Sequence, residues 1–315
     1  MKRIIFPKNW MLDIELVEEL ASKINILPKD LIALERKIPS YYKKTRIPKH
    51  NNGEGLSERT IYIPKNPLKK IQRTILKNIL KFEFPIYVTG GIKGRSIVDN
   101  AKPHMGQKWL LCLDLQDFFP SIHFTKIHNC FISLNCSPKI AKALTHFTTY
   151  KFQLPQGVPT STTIANMVLY SLDKRVFNLC KYGGFKYSRF VDDITISGPK
   201  NPKYLLDKCK KIVTQEGFKI NLSKVKITPP GKKKLVTGIV VDGERLKPSQ
   251  KELNKIKEAL DRLSSKDFSM FSEEDPSTLK KKIRGHISFI KSFNHSSANR
   301  LEQKFKKIYW DNFCC

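Results

Sequence analysis

The sequence predicts an α+β fold, and three observations carry that prediction. The unbroken apolar run Trp109-Leu110-Leu111-Cys112-Leu113-Asp114-Leu115 reads as a strand buried on both faces. Strand-formers over Phe185 to Phe190 and Ile194 to Ser197 flank Val191-Asp192-Asp193, which reads as a β-hairpin with carboxylates at its turn. Around these segments apolar residues recur at helical spacing, so helices should alternate with a mainly antiparallel sheet. From Ser249 onward the strand signals fade and helices alone continue.

Taken in order, residues 13–37 read as two helices, with Leu16, Val17, Leu20 and Ile24 on one apolar face and Leu31, Ile32 and Leu34 on the next. Tyr41 to Ser57 is basic and glycine-bearing and predicts a loop. Arg59 to Pro64 predicts a strand. Asn66-Pro67 predicts a helix start, with Asn66 as N-cap and proline in the first turn. Leu68, Ile71, Ile75, Leu76 and Ile79 form that helix's buried stripe. Lys69, Lys70, Arg73 and Lys77 cover its other face, where solvation explains them as well as phosphate contact does. Gly90-Gly91-Ile92-Lys93-Gly94-Arg95-Ser96 lacks the Gly-Lys-Ser/Thr ending of a P-loop and reads as a turn. Ser137 to Thr148 predicts a helix, Gln156-Gly157 a turn, Ser161 to Leu179 a helix, and Asn201 to Glu216 a helix packed on the sheet. Three last helices follow from Leu253, Ile256, Leu260 and Leu263, from Ile283, Ile287 and Ile290, and from Leu301, Phe305 and Ile308.

A chain of 315 residues can bury a large core and divide into one to three subdomains. Lys and Arg number 58 against 28 Asp and Glu, a net charge of +30, which favours a polyanionic partner. Nucleic-acid phosphates fit, and binding to them should weaken steeply with salt. No apolar run approaches the roughly 20 residues of a membrane-spanning helix, so no membrane partner is expected. Met1 to Phe6 begins like a signal peptide, but Pro7, Lys8 and Asp13 interrupt it, and export is not expected. Cys112, Cys130, Cys136, Cys180 and Cys209 are scattered without a Cys-x-x-Cys pair, which argues against zinc and disulfide frameworks and for a reducing cytoplasm. Cys314-Cys315 lacks a prenylation pattern and has no assigned role.

The chemistry is carried by acids. Asp192 and Asp193 at one turn repel unless cations neutralise them. Two divalent ions held a few ångströms apart would do so and would also serve phosphoryl transfer. A third carboxylate is then expected, and Asp114, at the end of a buried strand, is the best candidate. Each signal alone has a plain alternative: acidic pairs are common in turns, and a strand-end Asp can be satisfied locally. Their order is more informative, with an acidic strand, a Pro-Gln-Gly loop, a helix and an acidic hairpin in succession.

That order resembles the reverse transcriptases. Leu113-Asp114-Leu115-Gln116-Asp117-Phe118-Phe119-Pro120-Ser121-Ile122 is similar to their first palm motif, and Pro155-Gln156-Gly157-Val158-Pro159-Thr160-Ser161 through Ala165-Asn166 to their second. Phe190-Val191-Asp192-Asp193 is similar to the third, and Glu216-Gly217-Phe218-Lys219-Ile220-Asn221 with Lys224 to the fourth. Asn100-Ala101-Lys102-Pro103-His104 and Val236-Thr237-Gly238 narrow the resemblance to bacterial retron reverse transcriptases. Phe190-Val191 where Tyr-Ala is common, and Thr162-Thr163 where a proline is usual, depart from the pattern without removing a carboxylate.

The resemblance implies a right-hand polymerase, with N-terminal helices and fingers over 1–108, a palm over 109–243 with a fingers insertion around 130–155, and a helical thumb over 244–315. It implies that Asp114, Asp192 and Asp193 are catalytic and hold two Mg2+ ions. Phe119 would lie beneath the sugar and clash with a 2′-hydroxyl; a core phenylalanine is the alternative. Gln156, Arg59 and Lys224 would line the nucleotide site, and Asn100, His104, Val236, Thr237 and Gly238 would contact RNA or primer; for His104 a core or strand-capping histidine is the alternative. The glycine-rich stretch at Gly90 would lie in the fingers, near template or triphosphate. Asp117 is a nearby acid with no assigned chemistry. The implied partners are dNTPs, a cognate structured noncoding RNA, its branched cDNA product and a separate effector protein, in anti-phage defence. A defence reverse transcriptase outside the retrons and a catalytically silent RNA-binding scaffold are the alternatives.

Overall fold

A computed structural model describes residues 4–48, 58–265, 275–308 and 310, excepting the side chains of Pro48, Arg59 and Pro276. The chain opens with helices α1 (Val17–Ile24) and α2 (Pro28–Lys37), as their apolar spacing predicts. The expected loop after them is instead partly strand. β1 (Tyr42–Pro48) pairs antiparallel with β2 (Glu58–Pro64), from Tyr42 opposite Pro64 to Pro48 opposite Glu58. Lys43, Lys44 and Arg46 hide this strand from a polarity reading, because a two-stranded ribbon needs no buried alternate face; residues 49–57 of the expected loop, like Cys314-Cys315, lie outside the described residues.

Helix α3 (Leu68–Asn78) buries Leu68, Ile71 and Ile75 on the expected stripe. Asn66 is not its cap. Pro67 takes the N-cap position, already near helical dihedrals, and no side chain caps it. Gln72 is buried on the same stripe and donates to the Tyr42 hydroxyl (3.0 Å) and the Phe147 carbonyl (2.9 Å), tying helix to ribbon.

A short helix α4 (Ile97–Ala101) leads to β3 (Trp109–Asp114), followed by α5 (Phe118–Ser121), α6 (Phe124–Ser133) and α7 (Pro138–Thr148). The predicted 161–179 helix is two, α8 (Ser161–Val168) and α9 (Tyr170–Tyr182). Leu169 donates to the Ala165 carbonyl and accepts from the Asp173 amide, and the break between the two helices falls at this residue. The hairpin β4 (Lys186–Phe190) and β5 (Asp193–Gly198), helix α10 (Lys203–Gln215) and β6 (Lys226–Thr228) complete the centre. The sheet order is β4-β5-β3-β6, with every pair antiparallel. Leu111 and Leu113 face the main core, while Leu110 faces a second cluster with Val98, Ala101, Val236 and Val241. β3 is therefore covered on both sides, and its acidic end falls at the sheet margin.

Strands β7 (Leu235–Val236), β8 (Ile239–Val240) and β9 (Lys247–Pro248) form a small separate sheet. Helices α11 (Gln250–Ser264), α12 (Pro276–Lys291) and α13 (His295–Lys306) close a third core around Ile256, Leu260, Ile283, Ile287, Ile290 and Leu301, as their spacing predicts. Phe289 and Phe293 touch both this core and the cluster under the small sheet. Among the described residues no helix is long and apolar enough to cross a membrane.

Candidate active site

Antiparallel register brings the acids together. Asp114, last in β3, lies opposite Asp193, first in β5, and Asp193 also pairs with Phe190 to close the β4–β5 hairpin around Val191-Asp192. The Leu115 amide donates to the Asp192 carbonyl (3.2 Å), so the turn is stitched to the chain leaving β3. On the other flank, Asn221 donates its amide to the Asp114 carbonyl (2.8 Å) and Gln116 to the Lys219 carbonyl (2.8 Å), which sets the 216–221 segment beside the same strand end.

The electrostatics follow from that crowding. The protein packed around Asp193, and then the charges of Asp192 and Asp114, push its pKa up to about 6, against the opposing pull of Lys224. Lys224 places Nζ 3.2 and 3.1 Å from the two oxygens of Asp114. Lys224 thus pairs with Asp114 and acts on Asp193 at the end of the sheet. Among the described residues no three His, Cys, Asp or Glu side chains already close around a common point; the Asp114 oxygens turn to Lys224. Hard oxygen donors crowded at one sheet end, two of which raise the proton affinity of Asp193, fit a divalent cation of the magnesium type.

The turn itself is strained and braced. Val191 has φ of 59°, a left-handed conformation that is rare for a β-branched residue. Beneath it Arg189 is fully buried. Its Nε and Nη2 donate to the two oxygens of Asp173 on α9 (both 2.7 Å), and its Nη1 donates to Asn166 Oδ1 on α8 (3.0 Å) and to the Val191 carbonyl (2.5 Å). Tyr187 donates its hydroxyl to Asp173 (2.6 Å). These residues were not expected from sequence, because a buried Arg–Asp pair looks like any other pair in a chain this charged.

The other anticipated residues fall in three places. Phe119 on α5 is half-buried, its ring 5.3 Å from that of Phe118. Gln156 is half-buried, and its carbonyl accepts from the Tyr62 amide (3.1 Å), so the Pro-Gln-Gly loop leans on β2. Arg59 lies on that strand opposite Ile47, with its side chain outside the described residues. Asn100 and His104, by contrast, are enclosed. His104 bridges the Ser197 hydroxyl (Nδ1, 2.6 Å) and the Ser188 hydroxyl (Nε2, 2.8 Å), and Asn100 accepts from Thr89 (3.0 Å). In this structure they join elements, with no surface turned to a nucleic acid. Val236 is buried too, while Thr237 and Gly238 line an open cleft of about 560 Å³ facing Gly285, His286 and Phe289 of α12.

Gly90 packs against the acidic hairpin: a Cβ there would lie 2.2 Å from the Val191 nitrogen. Arg95 donates to the carbonyls of Phe84 (2.7 Å), Pro85 (2.6 Å) and Val88 (2.5 Å), so its guanidinium holds a loop rather than a phosphate.

Residues 47–257 match the family "Reverse transcriptase (RNA-dependent DNA polymerase)". The retron Ec86 reverse transcriptase of Escherichia coli is 33% identical over 253 residues, 79% of this chain and 76% of that one. The retron Mx65 reverse transcriptase of Myxococcus xanthus is 28% identical over 321 residues, 94% of this chain and 72% of that one. The retron Ec73 reverse transcriptase of Escherichia coli is 30% identical over 319 residues, 93% of this chain and 96% of that one. Among solved structures, telomerase from Candida albicans in complex with a fragment of telomeric RNA aligns at a TM-score of 0.49 and 12% identity, covering 84% of this chain and 63% of that one.

Proposed function

This chain belongs to the reverse transcriptases, as an RNA-directed DNA polymerase of retron type and right-hand fold, and from that premise we propose that it copies part of a cognate structured noncoding RNA into single-stranded DNA that remains branched to that RNA. The observation that carries the chemistry is the register of Asp114 against Asp193, with Asp192 in the adjoining turn. Asp114 and Asp192 would hold two magnesium ions, with Asp193 assisting. When bound, the ions make the primer hydroxyl more acidic and offset the charge of the pyrophosphate leaving group.

The remaining roles belong to the chain's own side chains. Lys224, here paired with Asp114, would move to the growing charge on the leaving group. Phe119, on the helix that follows Asp114, would floor the sugar and exclude a 2′-hydroxyl. Gln156 would lie beside the incoming dNTP, and Arg59 near its triphosphate. We assign fingers to 1–108, palm to 109–243 with a fingers insertion around 130–155, and thumb to 244–315. Of the residues assigned to RNA or primer, Asn100, His104 and Val236 are buried, and Thr237 and Gly238, which border the cleft under α12, are the ones left accessible. A separate effector protein, a cytoplasmic setting and a role in anti-phage defence complete the reading, and rest on the resemblance to retron enzymes.

The test is to express the chain with its neighbouring DNA and sequence the nucleic acid that copurifies. One discrete RNA carrying a branched DNA is expected. Homopolymer or repeat DNA would favour a defence reverse transcriptase outside the retrons, and RNA without DNA would favour a silent scaffold. Asp192→Asn should abolish the DNA and leave RNA binding within about twofold, since it removes a metal ligand without removing a cation that meets phosphate. Retained DNA synthesis would refute the metal assignment.

A further inference from the structure

The fully buried Arg189–Asp173 pair needs a reason beyond stability. A buried ion pair of this kind gives little net stabilisation over apolar residues of the same volume, because desolvation offsets its attraction. Its geometry is specific, however. Four hydrogen bonds leave the guanidinium: two make a fork onto Asp173, and the other two reach Asn166 and the Val191 carbonyl. Asp173 and Asn166 are each 1% exposed and sit on α9 and α8, the helices under the sheet. The fork therefore anchors the carbonyl of one turn residue to two helices at once.

That turn residue is the strained one. A left-handed valine persists only where its surroundings over-determine it. A second restraint acts from the side. Gly90 approaches so closely that a Cβ there would lie 2.2 Å from Val191 N and 2.8 Å from Phe190 C. The Gly90 carbonyl accepts from Asn166 Nδ2 (2.9 Å), so the same asparagine joins both restraints. The strand behind is fixed too: Thr89 donates its amide to the Arg189 carbonyl and Arg189 donates its amide to the Tyr87 carbonyl, both at 2.8 Å. Backbone contacts thus close on Val191 from below and beside, and Asp192 and Asp193 follow it directly.

We propose that Arg189, gripped by Asp173 and Asn166 and abutted by Gly90, is a positioning residue that holds Val191 in its left-handed turn and thereby aims Asp192 and Asp193 at Asp114. This rests on the reading of those three acids as metal ligands. Arg189 touches no substrate; it acts through the turn. Preorganised ligands tolerate little displacement, so loosening the turn should weaken metal binding before it weakens the fold.

Arg189→Ala would leave the Asp173 charge buried with no cation, only the Tyr187 hydroxyl, and is a poor probe. Asn166→Ala and Gly90→Ala leave the ion pair intact and load the turn from its two sides. Mn2+ binding by electron paramagnetic resonance, primer extension, primer–template affinity and melting temperature are to be measured for each, with Ile75→Val in the core of α3 as a control for mild destabilisation. Both variants should lose at least about tenfold in Mn2+ affinity and in kcat, partly restored by excess Mn2+, with primer–template affinity within about twofold. Wild-type Mn2+ affinity in both, or equal losses in Ile75→Val, would overturn the proposal. A wild-type chain that neither binds Mn2+ nor extends a primer is a different result, and would remove the metal reading itself.

Discussion

At the scale of single residues, the proposed function separates groups that would face the substrate from groups that hold the frame. Phe119 is assigned to the first kind. Its ring is only half enclosed, and truncation should open space beneath the sugar. Phe119→Ala is expected to raise ribonucleotide incorporation relative to deoxynucleotide by at least about tenfold, the size of effect that one lost steric contact produces in discrimination. Unchanged discrimination in single-nucleotide extension assays would remove the role. His104 belongs to the second kind. Burial lowers its pKa from 6.5 to about 3. The unfolded chain therefore takes up a proton below about pH 6.5 that the folded chain refuses, and folded stability falls as pH drops through that window, by up to about 1.4 kcal/mol per pH unit. His104→Gln should remove this slope in denaturant unfolding between pH 7 and 5. Comparing the two proteins cancels Asp193, whose raised pKa works the other way. An unchanged slope would contradict the burial of a neutral imidazole. The convergence of Asp114 with Asp192 and Asp193 was legible because it follows from a strand end and a turn. The enclosure of Asn100 was not, and for His104 it was only the alternative, because a polar side chain bonded inside the protein and one turned outward are the same letter.

At the scale of elements, legibility follows burial pattern. β3, the β4–β5 hairpin and the three C-terminal helices have regular apolar periods, and each forms as predicted. β1 was missed because its lysines and arginine face water from a ribbon with little core of its own. The start of α3 was misjudged by one residue, as caps often are where proline precedes them. The brace under Val191 was invisible, since it joins four segments far apart in the chain. The C-terminal bundle offers a separate test. Its own core, centred on Leu260, is distinct from the core beneath the acids. Leu260→Ala should cost about 2–5 kcal/mol in the bundle. As the proposed thumb, it should then weaken primer–template binding while leaving Mn2+ affinity at wild type. A fall in Mn2+ affinity equal to the loss of duplex binding would show that the two regions are not separable.

At the scale of the molecule, a net charge of +30 meets an acidic locus where Asp114 lies opposite Asp193 and beside the Asp192 turn. On the proposed function, the cations would draw in phosphates and the acids would need metal before a triphosphate approaches. RNA binding should weaken with added salt, with log K falling by about 0.7 to 0.9 per phosphate neutralised for each unit of log salt. Asp192→Asn should leave that slope unchanged. The most direct test of the whole account is an anomalous diffraction map from crystals of the chain bound to primer–template and soaked in Mn2+. The account predicts density between Asp114 and Asp192, with Lys224 moved off Asp114. A map with no ion there, or with Mn2+ bound only elsewhere, would contradict it.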